Sequence, residues 1–302
     1  MHAILIKYTP EYPVMKVSSE CMPCNVERAK YECDLVFRDE KKKIETLREL
    51  FKFISANLSP ESVPAYLGTN RERIVKRMSG VSDPYKNLKI KSDAVAKKLL
   101  PLAVRFYDRA GDKTDALVRI MATANSMEYG VMGYKFDASK FEKEFNRILR
   151  ERLLSNNKKI KVALGKYKKI LYLTDNCGEI VFDIFAARKL GEMGKEVTLA
   201  PKSEPVLNDA TVDDLKRLGY RGKMIPCGSF VGVSLEEASK EFLNALRSPD
   251  TFVIAKGMGH YEMVSEFEDK LKGRLLYVLR AKCEPVARAT GVKRGELVAK
   301  FV

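Results

Sequence analysis

The chain has 302 residues, room for about two domains of ~100 to 200 residues and a core that needs no disulfide staples. A hydrophobic fraction of 45% with 31% charged residues is a soluble, globular balance, and no apolar run approaches the ~18 residues of a membrane span; the opening MHAILIKYTPEYPV is too broken for a signal peptide, so a cytoplasmic protein is expected. The formal charge of +15 is uneven, with 33 Lys+Arg against 21 Asp+Glu in residues 1–167 and 22 against 19 in 168–302, a bias that suits anionic metabolites, nucleic acid or a plain solvated surface.

Residues 1–160 read as helices in succession. Apolar residues at three and four spacing mark 27–58, 92–111, 113–131 and 139–155, with SPESVP, SGVSDPY and AGDK as punctuation and Pro101 expected to kink or end its helix. Cys21-Met-Pro-Cys24 near the start could hold a metal or form a redox pair, yet the second Cys-x-x-Cys of a four-thiolate zinc site is missing. The basic segments RERIVKR (71–77) and KKIKVALGKYKK (158–169) carry no RNA-recognition or helix-turn-helix signature, which makes nucleic acid an unfavoured partner. Met121, Met127, Tyr129, Met132 and Tyr134 suit core better than a pocket wall.

The rhythm changes between 155 and 168. KILYLT (169–174), EVTLAP (196–201), GKMIPC (222–227), TFVIAK (251–256) and RLLYVLRA (274–281) read as strands, and amphipathic stretches near 179–193, 205–218, 233–247 and 260–271 read as helices. Parallel neighbours need crossovers, and crossovers cover both faces of a sheet. The expected architecture is therefore a helical domain, 1–160, packed on a doubly wound, mostly parallel, Rossmann-like α/β domain, 161–302.

An open parallel sheet binds ligands beyond the carboxyl ends of its strands. The turns there hold Asp175-Asn176-Cys177-Gly178-Glu179, Asn208-Asp209, Cys227-Gly228-Ser229, Lys256-Gly257 and Lys282-Cys283-Glu284. Asp175, Asn176 and Asp209 are hard oxygen donors that suit Mg²⁺ or Mn²⁺ better than zinc. Lys256 and Lys282 would face a phosphate, and Gly178 at a helix opening would let an anion approach backbone N–H groups. Each residue also has a bland reading: Asp175 or Asp209 as an N-cap, Glu179 as a complement to its helix dipole, Lys256 as a solvent-facing side chain.

Asp175 to Asp183 resembles the DN-x-GE-x-x-x-D signature of the damage-control phosphatases. Asp83-Pro84-Tyr85 with following lysines, Ala124-Asn125, Asn208-Asp209, Lys256-Gly257 and Lys282 stand in that family's order. The resemblance implies a helical part on an α/β part and hydrolysis of small phosphorylated metabolites, such as sugar phosphates, with Mn²⁺, Ni²⁺, Co²⁺ or Mg²⁺. It places metal ligands and catalysis on Asp175, Asn176 and Asp209, and substrate contacts on Glu179, Lys256, Lys282 and His260. His260 departs from an expected Asn.

Other chemistries find less support. A haloacid-dehalogenase-like aspartyl-phosphate route would want an acid two positions after Asp175, where Cys177 stands. His2 and His260 are the only histidines, and no Gly-x-Ser-x-Gly elbow, Walker A or Gly-x-Gly-x-x-Gly pattern appears. The alternatives carried forward are a nucleotide- or nucleic-acid-binding protein without catalysis and, more distantly, a methyltransferase.

Overall fold

A computed structural model describes residues 14–127 and 141–302. His2 and the side chains of Met127, Tyr129, Met132 and Tyr134 fall outside the described ones; Met121 is core. In chain order the helices of the first half are α1 (Cys21–Val36), α2 (Glu40–Asn57), α3 (Pro64–Ser79), α4 (Lys86–Arg109), α5 (Lys113–Ala124) and α6 (Phe141–Ile148). Then come β1 (Leu153–Ser155), α7 (Asn157–Lys166), β2 (Lys169–Leu173), α8 (Ile180–Glu192), β3 (Glu196–Ala200), α9 (Val212–Arg217) and α10 (Lys240–Arg247). The chain continues through β4 (Thr251–Lys256), α11 (Gly257–Val264), β5 (Leu275–Arg280), α12 (Glu284–Thr290) and β6 (Leu297–Phe301).

The strands form one sheet in the order β1-β6-β5-β4-β2-β3. All pairs are parallel except β5 with β6. This is the α/β class expected from the alternation. Strands β4 and β5 are buried at every position, which is why they read as unbroken apolar runs and not as alternating ones. From central β2 the chain runs outward to β3 and then returns to β4 on the other side of β2. That reversal opens a crevice between the carboxyl ends of β2 and β4.

Several expected boundaries shift, each for a local reason. The single helix foreseen over 27–58 is two, α1 and α2, because Asp39 caps α2 by accepting from the Lys41 N–H. Pro101 lies inside α4 without ending it. The strand expected at 222–227 is not one: Met224 makes only an isolated bridge to Leu199, although the Ile225 and Cys227 N–H groups still reach the carbonyls of Leu199 and Pro201. The helix foreseen over 205–218 shrinks to α9, where Thr211 and Asp214 form a capping box. The helix foreseen over 233–247 shrinks to α10, whose N-cap is Ser239. β1 and β6 escape a reading based on apolar runs. β1 spans only three residues, and β6 includes Lys300.

The main hydrophobic cluster joins α4 and α5 to α8 and one face of the sheet, through residues such as Leu117, Met121, Phe182, Phe252 and Val278. The other face is covered by α10, α11 and α12, with Phe242, Tyr261 and Val286 in its core. Truncating one such buried apolar residue to Ala costs about 2 to 5 kcal/mol. Both faces therefore hold the crevice in register.

Candidate active site

The loop after β2 turns back along the segment 208–210. Cys177 N–H donates to the Asn208 carbonyl at 2.8 Å and Ala210 N–H to the Asp175 carbonyl at 2.8 Å, bracketing an antiparallel bridge between Asn176 and Asp209. This short backbone clasp brings Asp175, Asn176 and Asp209 together. Leu207, which precedes it, takes a left-handed φ of 46° and is held by an N–H donated to Glu72 of α3 at 2.8 Å.

Side chains from three more elements close around the clasp. Asn125, just after α5, donates to Asp175 Oδ2 at 2.9 Å and to Glu179 Oε1 at 2.9 Å, while its own carbonyl accepts from the Arg280 N–H at 3.0 Å. Asn176 Nδ2 donates to Asp175 Oδ2 at 2.7 Å and to Glu179 Oε1 at 3.0 Å. With its NH₂ so engaged, the Asn176 oxygen is the amide atom left for an outside partner. Lys256 Nζ lies 2.5 Å from Glu179 Oε2 and 3.0 Å from Asp183 Oδ1, and the Tyr172 hydroxyl donates to that same Asp183 oxygen at 2.6 Å. Gly257 has a left-handed φ of 80°, and a Cβ there would run into the Asp175 carboxylate. Only glycine fits at this first position of α11.

Lys202 is the residue the sequence reading missed. Its ammonium donates to the Gly232 carbonyl at 2.5 Å and lies 3.5 Å from Asp209 Oδ2. A lysine directly after the EVTLAP strand was the available signal. Asn125, from the helical half, was quoted only as part of a short motif. Asp183 was quoted only as the end of the nonapeptide, and its helical periodicity alone hides it as a core position.

The cluster is sealed, with Asp175 the most exposed of its acids at 7%. Charges so placed must compensate one another. Four carboxylates (Asp175, Glu179, Asp183, Asp209) meet three ammonium groups (Lys202, Lys256, Lys282), which leaves a formal excess of one negative charge. Burial pushes the Glu179 carboxyl up, but Lys256 and Lys282 outweigh it and hold the group below its usual range. Burial takes Asp183 up to about 6 against the pull of Lys256. Lys202 is raised, because Cys227, Asp209 and Asp175 outweigh burial. His260 is held well below its ordinary value by burial and by Lys202, so the imidazole is neutral. Its Nδ1–H donates to the Lys256 carbonyl at 2.7 Å, and its Nε2 is buried with no partner.

One expectation is corrected. Gly178 does not open a helix toward an outside anion: its N–H donates to the Asp93 carboxylate at 2.6 Å, and a Cβ on it would press on Ser92. The basic segment 71–77 is partly committed within the fold, with Arg73 and Arg77 exposed. Arg71 is buried against Glu32 at 2.9 Å, Arg73 pairs with Glu237 at 2.6 Å, and Lys76 donates to the Pro205 carbonyl.

Asp93, Cys177 and Asp214 form a second acidic group, with donor atoms within 4.8 Å of one another. Its lone pairs are already committed. Asp93 accepts from Gly178 and from Arg217 at 2.6 Å, and Asp214 accepts from Arg217 at 2.8 Å and from the Thr211 hydroxyl at 2.8 Å. Burial holds the Cys177 thiol well above its ordinary range. The group is an ion-pair network.

The family model of the damage-control phosphatase ARMT1-like domain matches residues 17–298. The chain belongs to that family. It is 33% identical to a damage-control phosphatase of Archaeoglobus fulgidus, over 95% of this chain and 100% of that protein. A damage-control phosphatase of Pyrococcus horikoshii is 31% identical, over 94% of this chain and 97% of its own. An uncharacterized protein of Methanocaldococcus jannaschii is 34% identical over 99% of both chains. The crystal structure of a DUF89 family protein from Pyrococcus horikoshii superposes with a TM-score of 0.84 at 30% identity, covering 95% of this chain and 99% of that one. No helix among the described residues is long and apolar enough to cross a membrane.

Proposed function

We propose that this member of the family is a divalent-metal-dependent phosphatase acting on small phosphorylated metabolites, with residues 161–302 carrying the metal and phosphate groups and residues 1–160 roofing them. The observation that carries this reading is the backbone clasp that gathers Asp175, Asn176 and Asp209 at the crevice between β2 and β4. The donor set fits a hard cation: two carboxylates and a carboxamide oxygen, inside a cluster whose formal charge is one negative in excess. A bound Mn²⁺, Ni²⁺, Co²⁺ or Mg²⁺ supplies charge for a phosphoryl oxygen and acidity for a water.

The chain's own residues account for the rest. Glu179 and Asp183 occupy two of the three N–H donors of Lys256, so the ammonium is held in place with one donor left for a phosphate oxygen. Lys202 and Lys282 add positive charge on either side, Lys202 by Asp209 and Lys282 within electrostatic reach of Glu179. Asp175 or Asp209 orients the attacking water and receives its proton. The Nε2 of His260 is an acceptor, so it takes a hydroxyl of the substrate and not a carbonyl. An Asn at that place offers both roles.

The pairing of Arg71 with Glu32, of Arg73 with Glu237 and of Lys76 with the Pro205 carbonyl takes three cations of segment 71–77 out of any nucleic-acid face. The test is release of phosphate from p-nitrophenyl phosphate and from a panel of sugar phosphates, metal by metal. Turnover is expected with Mn²⁺, Ni²⁺, Co²⁺ or Mg²⁺ and lost with chelator. Turnover indifferent to chelation would overturn the reading.

A further inference from the structure

Cys21-Met-Pro-Cys24 plays no part in that chemistry, yet the fold gives it a third thiol. Cys21 and Cys24 lie three apart in the first turn of α1 and so on one side of it. Cys283 is the N-cap of α12. All three line one cavity of about 140 Å³, together with Glu262 of α11 and the apolar side chains of Met15 and Met258. All three are free cysteines. Cys177 and Cys227 are buried elsewhere, and Cys33 packs against Phe37 and Val75.

We infer that Cys21, Cys24 and Cys283, with the Glu262 carboxylate, form a second metal site, one for a soft thiophilic cation of the Zn²⁺ class. Three sulfurs and one carboxylate oxygen make a four-donor set suited to tetrahedral zinc, as distinct from the oxygen set at the sheet edge. Arg28 stands on the same cavity wall and adds positive charge beside the three thiolates and Glu262, whereas Arg71 there is already paired with Glu32. Among the described residues the acids and thiols that lie within 4.8 Å of one another as a group of three are Asp93, Cys177 and Asp214, so the three sulfurs and the Glu262 carboxylate are not all within ligating reach before an ion enters. Binding therefore draws the first turn of α1 onto α12. Each thiol gives its proton to solvent as its sulfur takes up the cation, with no change of oxidation state. Because each ligand thiol must release its proton, uptake strengthens with rising pH.

The location gives the ion a mechanical role. Cys283 follows Lys282, Met258 follows Gly257, and the Lys282 N–H contacts Met258 Sδ at 3.3 Å. An ion tying α1 to α11 and α12 would brace the two strand-end turns that supply Gly257 and Lys282. The site needs no phosphatase activity to be real, so its failure and that of the phosphatase reading are separable.

The experiment is titration of the reduced Asp175→Ala protein, whose oxygen site is disabled, with Co²⁺. A thiolate-to-cobalt charge-transfer band in the near ultraviolet is expected, saturating at one ion per chain and displaced by Zn²⁺. Cys24→Ser and Cys283→Ser should each remove it, and Zn²⁺ should raise the Tm of the wild-type protein but not of Cys24→Ser, whose half-buried position makes it the safer variant to fold. Absence of the band, or its survival in both cysteine variants, overturns the proposal.

Discussion

Two buried acidic groups lie on either side of the Asp175–Glu179 turn, and they have opposite electrostatic characters. Around Asp93 and Asp214 the carboxylate lone pairs are met by Arg217, Gly178 and Thr211. Around Asp175 and Asp209 the carboxylates outnumber the ammonium groups, and His260 Nε2 is left without a partner. Proximity of acids therefore does not identify a metal site. What supports the proposed reading of the Asp175–Asp209 group as a metal site is its excess of negative charge and the unpartnered His260 Nε2 beside it.

Removing one acid from each group breaks or sharpens that contrast. Asp209→Ala should lower metal-dependent turnover by more than about tenfold while the circular dichroism spectrum stays native, and calorimetry should show metal binding lost. Retained turnover would take Asp209 out of the site. Arg217→Ala should do the reverse. Two carboxylates lose their partner, which costs about 2 kcal/mol in urea denaturation, while turnover per folded molecule is kept; a stable but inactive variant would move the chemistry to the Asp93 side.

The smallest effect concerns Glu72, which holds the Leu207 turn. Burial raises its carboxyl from 4.5 to about 7, against Lys76. A folded-state pKa above the unfolded one means the native state favours the proton. That contribution is fully present below pH 4.5 and is lost as the pH rises through about 7. Glu72→Gln should flatten this part of the stability profile, so that the variant gains on the wild type at pH 8 and not at pH 4. The same stability difference between variant and wild type at pH 4 and pH 8 in urea denaturation would refute the assignment.

The architecture was legible because buried parallel strands such as TFVIAK and RLLYVLRA are apolar throughout, and because turns at the carboxyl edge carry the polar residues. Asp175, Asn176 and Asp209 followed from that rule without reference to any relative. Lys202 did not, since one lysine after a strand is ordinarily a surface residue, and it is a parallel bridge to Thr211, with the Lys202 N–H donated to the Ala210 carbonyl, that sets it beside Asp209. Asn125 stayed hidden because it reaches the site from α5, across a sequence gap of about fifty residues. Gly178 was misread because a glycine with positive φ satisfies close packing against Ser92 as readily as approach of a ligand. In each case the deciding fact is a long-range contact, which periodicity does not encode.

The sheet's seam has a kinetic meaning. Strand β1 pairs only with β6, Leu153 opposite Leu297, so on the ribosome the earliest strand waits for the latest one before its backbone is satisfied. Until then β5 presents an unpaired edge, and nascent chains released early would be prone to stick to one another there.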